Sequence, residues 1–312
     1  MKTYALYLLM LCFSVIGCQK DIPSENDPAL KKGKTNLKYL PTEMTLFPES
    51  EEGVDSTKLF FSYLNDEGDL SSIDISSYFD SRVSFYGYTF DYKSNKLHTV
   101  NTTDQGSDLW GPPIYTFSFN TDKASGYRTE NLAGYVDPFW PTVPPDENGE
   151  YPPAPIYWDL VLSDSTEFVW SNNRLISFKN HIGKLNFSYV NGDLASINPE
   201  SPSSFELMGA TTYTYDNKNY WGKNIKNKDI LMLILSSILH PIDSNPSKIC
   251  IKKKDSYDVE ILETFDYKGK FNEDGYPTEI CETRSGIRFN THEAFKNKIT
   301  YKIKYKTIPQ LN

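Results

Sequence analysis

The sequence predicts a mainly β fold, an antiparallel sheet built from repeated aromatic β-hairpins and either elongated or partly closed. Three observations predict it. Aromatic residues make up 14% of the chain, with Tyr and Phe dominating. Short alternating runs are bounded by Asn, Asp, Gly and Ser, the texture of strands and turns. One spacing of aromatic and aliphatic residues also recurs: an aromatic, a second two residues on, a leucine five further, and another apolar residue three beyond that.

Met1-Lys2-Thr3 opens the chain, and an apolar run extends from Tyr4 to Gly17 with Ser14 its clearly polar member. These residues are too few to span a hydrocarbon core, which takes about 20. A positive start, a brief apolar stretch and a small residue before a cleavage point describe a secretory signal over 1–17. The run ends Val15-Ile16-Gly17-Cys18, which resembles the lipobox of bacterial lipoproteins. That resemblance implies cleavage before Cys18, acyl chains on that cysteine and a permanent membrane anchor, since each buried CH₂ contributes about 0.8 kcal/mol. Gln19-Lys20-Asp21 follows and is similar to the tract that exports some lipoproteins to the outer face of the outer membrane. The acidic run stops at Ile22, which departs from that pattern. Residues 18–36 hold two prolines and many charges and read as a lipidated cysteine with a flexible tether. A single β-rich domain is expected over 37–312.

Within that domain the spacing occurs three times. Phe90 and Tyr92 precede Leu97 and Val100; Phe168 and Trp170 precede Leu175 and Phe178; Phe187 and Tyr189 precede Leu194 and Ile197. Residues two apart on a strand share a face. The polar stretches between the aromatics and the leucine carry the chemistry of tight turns, so each unit is one hairpin. Partial copies stand at Tyr213/Tyr215 and Phe265/Tyr267. The phrases Tyr213-Thr-Tyr-Asp216 and Asp274-Gly-Tyr-Pro277 resemble YD-type repeats, and the chain looks like an uncharacterised family of YD-repeat-like bacterial lipoproteins over about residues 80–306. The resemblance implies architecture, not activity.

Two segments interrupt the pattern. Residues 137–158 contain seven prolines, which excludes interior sheet and predicts a long functional loop. Residues 229–239 are Leu-rich, begin with Asp229 and are followed by Pro241, predicting a short buried helix that plugs or covers one face of the sheet.

Formal charge is −9, and about −10 once Lys2 leaves with the signal. An acidic chain suits nucleic acid poorly; Lys252–Lys254 and Lys302, Lys304 and Lys306 read as solvated strand faces. Cys250 and Cys281 are the cysteines left for a disulfide, which requires their strands to be adjacent. Nucleophile elbows, metalloprotease helices and phosphate loops are absent from the sequence, and His98, His181, His240 and His292 lack ligand spacing. No cofactor or metal is expected. The acidic tracts at 65–69, 146–150 and 272–275 lack EF-hand spacing and read as turns. The remaining functional signal is Trp110, Trp140, Trp158 and Trp221, each beside Gly, Pro or Tyr and expected on loops as ligand contacts. The leading expectation is an outer-membrane, surface-exposed lipoprotein acting as a non-enzymatic binding or structural module for a glycan or an envelope protein. A glycan-acting hydrolase and a periplasmic lipid carrier are the alternatives.

Overall fold

A computed structural model describes residues 37–49, 56–79, 82–104, 113–120, 122–136, 156–163, 165–180, 183–200, 209–235, 238–254, 260–287 and 293–310. The predicted signal, Cys18, the export tract and the tether lie outside them. The strands are β1 (Leu37–Pro48), β2 (Ser56–Tyr63), β3 (Leu70–Phe79), β4 (Arg82–Lys93), β5 (Lys96–Asp104), β6 (Ile114–Asn120), β7 (Lys123–Val136), β8 (Ile156–Ser163) and β9 (Ser165–Ser171). They continue as β10 (Arg174–Asn180), β11 (Gly183–Val190), β12 (Asp193–Pro199), β13 (Ala210–Asn219), β14 (Ser244–Lys254), β15 (Glu260–Phe271), β16 (Pro277–Ile287) and β17 (Ala294–Pro309). A single helical turn, α1 (Lys228–Leu231), lies between β13 and β14.

Each strand pairs antiparallel with the one before and after it, with one exception. β8 and β9, one residue apart, lie along the same neighbour. β8 pairs with the second half of β7, and from β9 the Trp170 indole N–H donates to the Ala124 carbonyl at 2.7 Å. The sheet therefore has sixteen staves. It closes because β1 pairs with β17 as well as with β2: the Glu49 N–H donates to the Lys298 carbonyl at 2.8 Å, and the Thr42 hydroxyl to the Lys304 carbonyl at 3.3 Å. The expectation of an antiparallel, partly closed hairpin sheet is met: the ring is nearly closed.

Register explains the recurring spacing. On a regular strand, residues three apart point to opposite faces. In β4–β5, Tyr92 faces Leu97 but Asp91 faces Thr99, so His98 is an extra residue. This β-bulge returns Val100 to the face of Leu97. The same slip occurs at Ser71 in β2–β3, Ser125 in β6–β7, Ile176 in β9–β10, Ala195 in β11–β12, Ser247 in β13–β14 and Thr278 in β15–β16. Three tight turns have left-handed backbone at both central residues, Ser94/Asn95, Asn172/Asn173 and Asn191/Gly192, the type I′ geometry that matches strand twist.

The apolar residues of the recurring spacing turn inward. One continuous cluster joins Met44, Phe61, Ile73, Phe90, Val100, Phe117, Phe178, Phe187, Leu194, Ile280 and Ile303, from staves all around the ring, to Trp221, Leu231, Leu235, Leu239 and Ile242 from the chain between β13 and β14. That chain is a plug inside the ring. The predicted helix over 229–239 is shorter than expected: α1 ends at Leu231, and isolated turns follow, with the Leu235 and Leu239 N–H groups donating to the Leu231 and Leu235 carbonyls. Burial was read correctly but regular helix was not, since leucines on a segment enclosed on all sides need no single helical face.

Outward positions are mostly polar, although Phe60, Val83, Phe85, Val169 and Leu262 are exposed among them. Cross-strand neighbours on that side include Asp74 with Gly87, Thr89 with Asn101, Ser188 with Ser196, and Asp266 with Lys248 and Thr283. A membrane-spanning barrel alternates the opposite way, apolar outside and polar within. No helix among the described residues is long and apolar enough to cross a membrane.

Candidate functional site

Antiparallel alternation puts the hairpin turns at one end of the ring, and the plug is fixed there. The Lys226 N–H donates to the Gly68 carbonyl at 3.0 Å, and the Asn219 N–H to the Gly275 carbonyl at 3.0 Å. Asp193 accepts from the N–H groups of Asp243 at 2.6 Å and Ser244 at 3.0 Å. Gly68 has φ +96°, and a Cβ there would lie 2.2 Å from the Asn224 carbonyl oxygen, so glycine is required by conformation and by contact. Arg174, just after a tight turn, reaches Asp229 at 3.4 Å, Asp243 at 3.3 Å and the Gly192 carbonyl at 2.6 Å. The tracts at 65–69 and 272–275 are Asx-type turns, with Asn65 Oδ1 accepting from Glu67 and Asp69 N–H and Asn272 Oδ1 from Asp274 and Tyr276 N–H. The third tract, 146–150, lies outside the described residues.

β1 also enters at this end. Lys38 Nζ donates to the Glu67 carbonyl at 2.7 Å, and the Tyr39 ring stacks on Tyr276 at 4.5 Å. β17 leaves here too, Tyr305 donating to the Pro277 carbonyl at 2.8 Å.

At the opposite end, the mouth, the strand ends flanking residues 105–112 and 137–155 meet the rim. A recess of about 590 Å³ lies beside them, lined by Val83, Ser84, Phe85, Tyr86, Gly87, Tyr88, Thr102, Thr103, Pro113 and Tyr115. It forms where β5 outruns its partner: β5 and β6 share three cross-strand pairs, at Thr99, Val100 and Asn101, and the Thr102 hydroxyl closes the seam on the Pro113 carbonyl at 2.8 Å. Burial pushes the Tyr88 and Tyr115 hydroxyls above the ordinary phenol value, so both are protonated donors at neutral pH.

The inner-wall tyrosines differ in what their hydroxyls meet. Tyr63 donates to the Pro41 carbonyl at 2.9 Å, Tyr189 to the Leu175 carbonyl at 3.0 Å and Tyr215 to the Leu194 carbonyl at 2.5 Å, whereas the Tyr92 hydroxyl beside the plug is buried with no partner among the described residues. Tyr88 and Tyr115 have no hydrogen-bond partner for their hydroxyls among the described residues. Sequence reasoning missed both, because the repeat marks which face a tyrosine occupies but not whether its hydroxyl is tied down.

The inner wall also carries acidic groups. Glu263 is buried; burial raises its carboxyl, but hydrogen bonds from Lys253 and Arg284, each at 2.7 Å, more than offset that and hold it below the usual range. Glu282 is raised, chiefly by burial, although Tyr301 donates to it at 2.9 Å. Neither lines the recess.

The four tryptophans do not form one site. Trp221 is 6% exposed inside the ring, against Phe61 at 5.6 Å and Tyr220 at 5.2 Å; it is a core residue, since its segment folds inward. Trp158 belongs to β8, opposite Gly134, not to a loop. Trp110 and Trp140 lie outside the described residues. Cys250 and Cys281 are free thiols; β15 separates their strands, with Cys250 opposite Thr264 and Cys281 opposite Lys268, so the disulfide requirement of adjacent strands fails.

No protein-family model matches the chain, and no curated protein matches it. Among solved structures it is similar to a porin-like protein from Bacteroides uniformis, with 16% identity and a TM-score of 0.44, over 85% of this chain and 96% of that one.

Proposed function

We propose that the protein is an outer-membrane, surface-exposed lipoprotein whose β body is a non-enzymatic binding module, with the mouth as its binding face and a glycan or an envelope protein as its ligand. The observation that carries this reading is the recess at the mouth, where the Tyr88 and Tyr115 hydroxyls have no partner among the described residues; pockets at barrel mouths are a common binding arrangement. The polar outer face suits a body held in water by lipid on Cys18 rather than one embedded in the bilayer. β1 enters at the plug end, opposite the mouth.

Two observations weigh against the alternatives. A lipid carrier requires an empty apolar interior, and the side chains of Trp221, Leu231, Leu235 and Leu239 occupy it. A glycan hydrolase requires two carboxyls facing one cleft, and no carboxylate is among the described side chains lining the recess. The test is protease shaving of intact cells combined with sedimentation of Cys18→Ser. The reading expects peptides of 37–312 in the shaved fraction and loss of membrane sedimentation in the variant. Protection of every such peptide, or a variant that still sediments, contradicts it.

A further inference from the structure

Among the described side chains, the recess lining contains six hydroxyl-bearing residues, Ser84, Tyr86, Tyr88, Thr102, Thr103 and Tyr115, and none that is charged. These described side chains offer a charged ligand no counter-charge, so their chemistry favours an uncharged one. Tyrosine combines an apolar ring with a polar tip. The ring suits the C–H face of a pyranose, and the hydroxyl suits its equatorial oxygens. Water held by an unanchored hydroxyl can be displaced without net loss when the incoming group reproduces its hydrogen bonds. A volume of about 590 Å³ falls within the range of about 300–1,000 Å³ usual for small-molecule sites.

We propose that this recess is a subsite for a neutral sugar residue of a glycan, with Tyr88 and Tyr115 supplying ring contact and hydrogen bonds. The proposal rests on the mouth being the binding face and narrows the ligand to an uncharged saccharide. It is tested by saturation-transfer NMR on the full chain in detergent, with neutral gluco-, manno- and galacto-configured hexasaccharides and an oligogalacturonate as the acidic probe. At least one neutral hexasaccharide should bind through its ring C–H groups. Tyr88→Phe and Tyr115→Phe, which keep the ring, should each weaken it roughly three- to tenfold, the net worth of one hydrogen bond. Tyr88→Ala should abolish it, while Tyr189→Phe, at an anchored hydroxyl near the plug, should leave it unchanged; thermal melts confirm folding. Neutral binding unaffected by both phenylalanine variants overturns the subsite. If that binding is instead lost on shortening residues 138–154, the mouth reading survives without it. Binding of the acidic probe alone, or of no saccharide at millimolar concentration, also overturns the proposal.

Discussion

Lys228 is 7% exposed and gives its three protons to the Lys223 carbonyl at 2.9 Å, the Ile242 carbonyl at 2.9 Å and the Asp243 carboxylate. A buried ammonium survives only with every donor satisfied, so this residue fixes the path of the plug. Lys228→Ala should cost about 2 kcal/mol, less than the full penalty for breaking a buried pair because Asp243 is partly solvated and keeps Arg174; a denaturant titration measures it. His240 is enclosed by Tyr213 and Tyr220, and burial lowers its pKa from 6.5 to about 4. Between those values the unfolded chain takes up a proton that the folded chain refuses. The contribution is therefore undiminished above pH 6.5 and is lost as pH falls toward 4, by about 3 kcal/mol. Melts of wild type and His240→Gln across that window should converge as pH falls; parallel curves would refute the assignment. None of this was legible from residue type. Trp221 shows why: a Gly-flanked aromatic reads as a displayed loop residue, and only the apolar run from 230 to 242 hints that the chain turns inward.

At the scale of elements, the hairpins were legible because aromatic pairs and Asn-rich turns leave a local signature. Three copies were visible, but the fourth, Phe117/Phe119 with Ala124 and Tyr127, was hidden by an alanine where the others carry leucine. Trp170 occupies that neighbourhood, its indole on the Ala124 carbonyl at 2.7 Å, so Ala124→Leu should overpack the wall by about 1–3 kcal/mol. Turn chemistry gives a paired prediction. At Gly192, φ is +89° and a Cβ would meet nothing within 4 Å, so Gly192→Ala should cost about 1 kcal/mol through backbone strain alone. Asn173→Gly, at φ 61°, should be neutral or stabilising, as glycine is preferred at the second position of a type I′ turn. A destabilising Asn173→Gly in chemical melts would mean that the side chain, rather than the backbone, holds the turn; its acceptance of a 2.8 Å bond from Lys123 Nζ is the competing interaction. The bulges were not legible individually, yet the three-residue step after each leucine already encoded them.

Closure of the ring belongs to the whole molecule. Pairing of β1 with β17 joins residues about 250 positions apart, as in the Glu49–Lys298 ion pair, and no local pattern announces it. What the sequence does contain is the sign of the alternation, mostly apolar inward and mostly polar outward, which is the basis for proposing a water-facing shell around a plug. Its central claim can be measured by replacing outward Thr89, Ser188 and Asp266 one at a time with cysteine, in a chain whose Cys250 and Cys281 are serine, and reacting native membranes with a membrane-impermeant maleimide. Labelling is expected at all three positions with no protection by lipid-borne quenchers, and none at inward Phe187→Cys until denaturant is added. Shielding of the outward positions by lipid would contradict it.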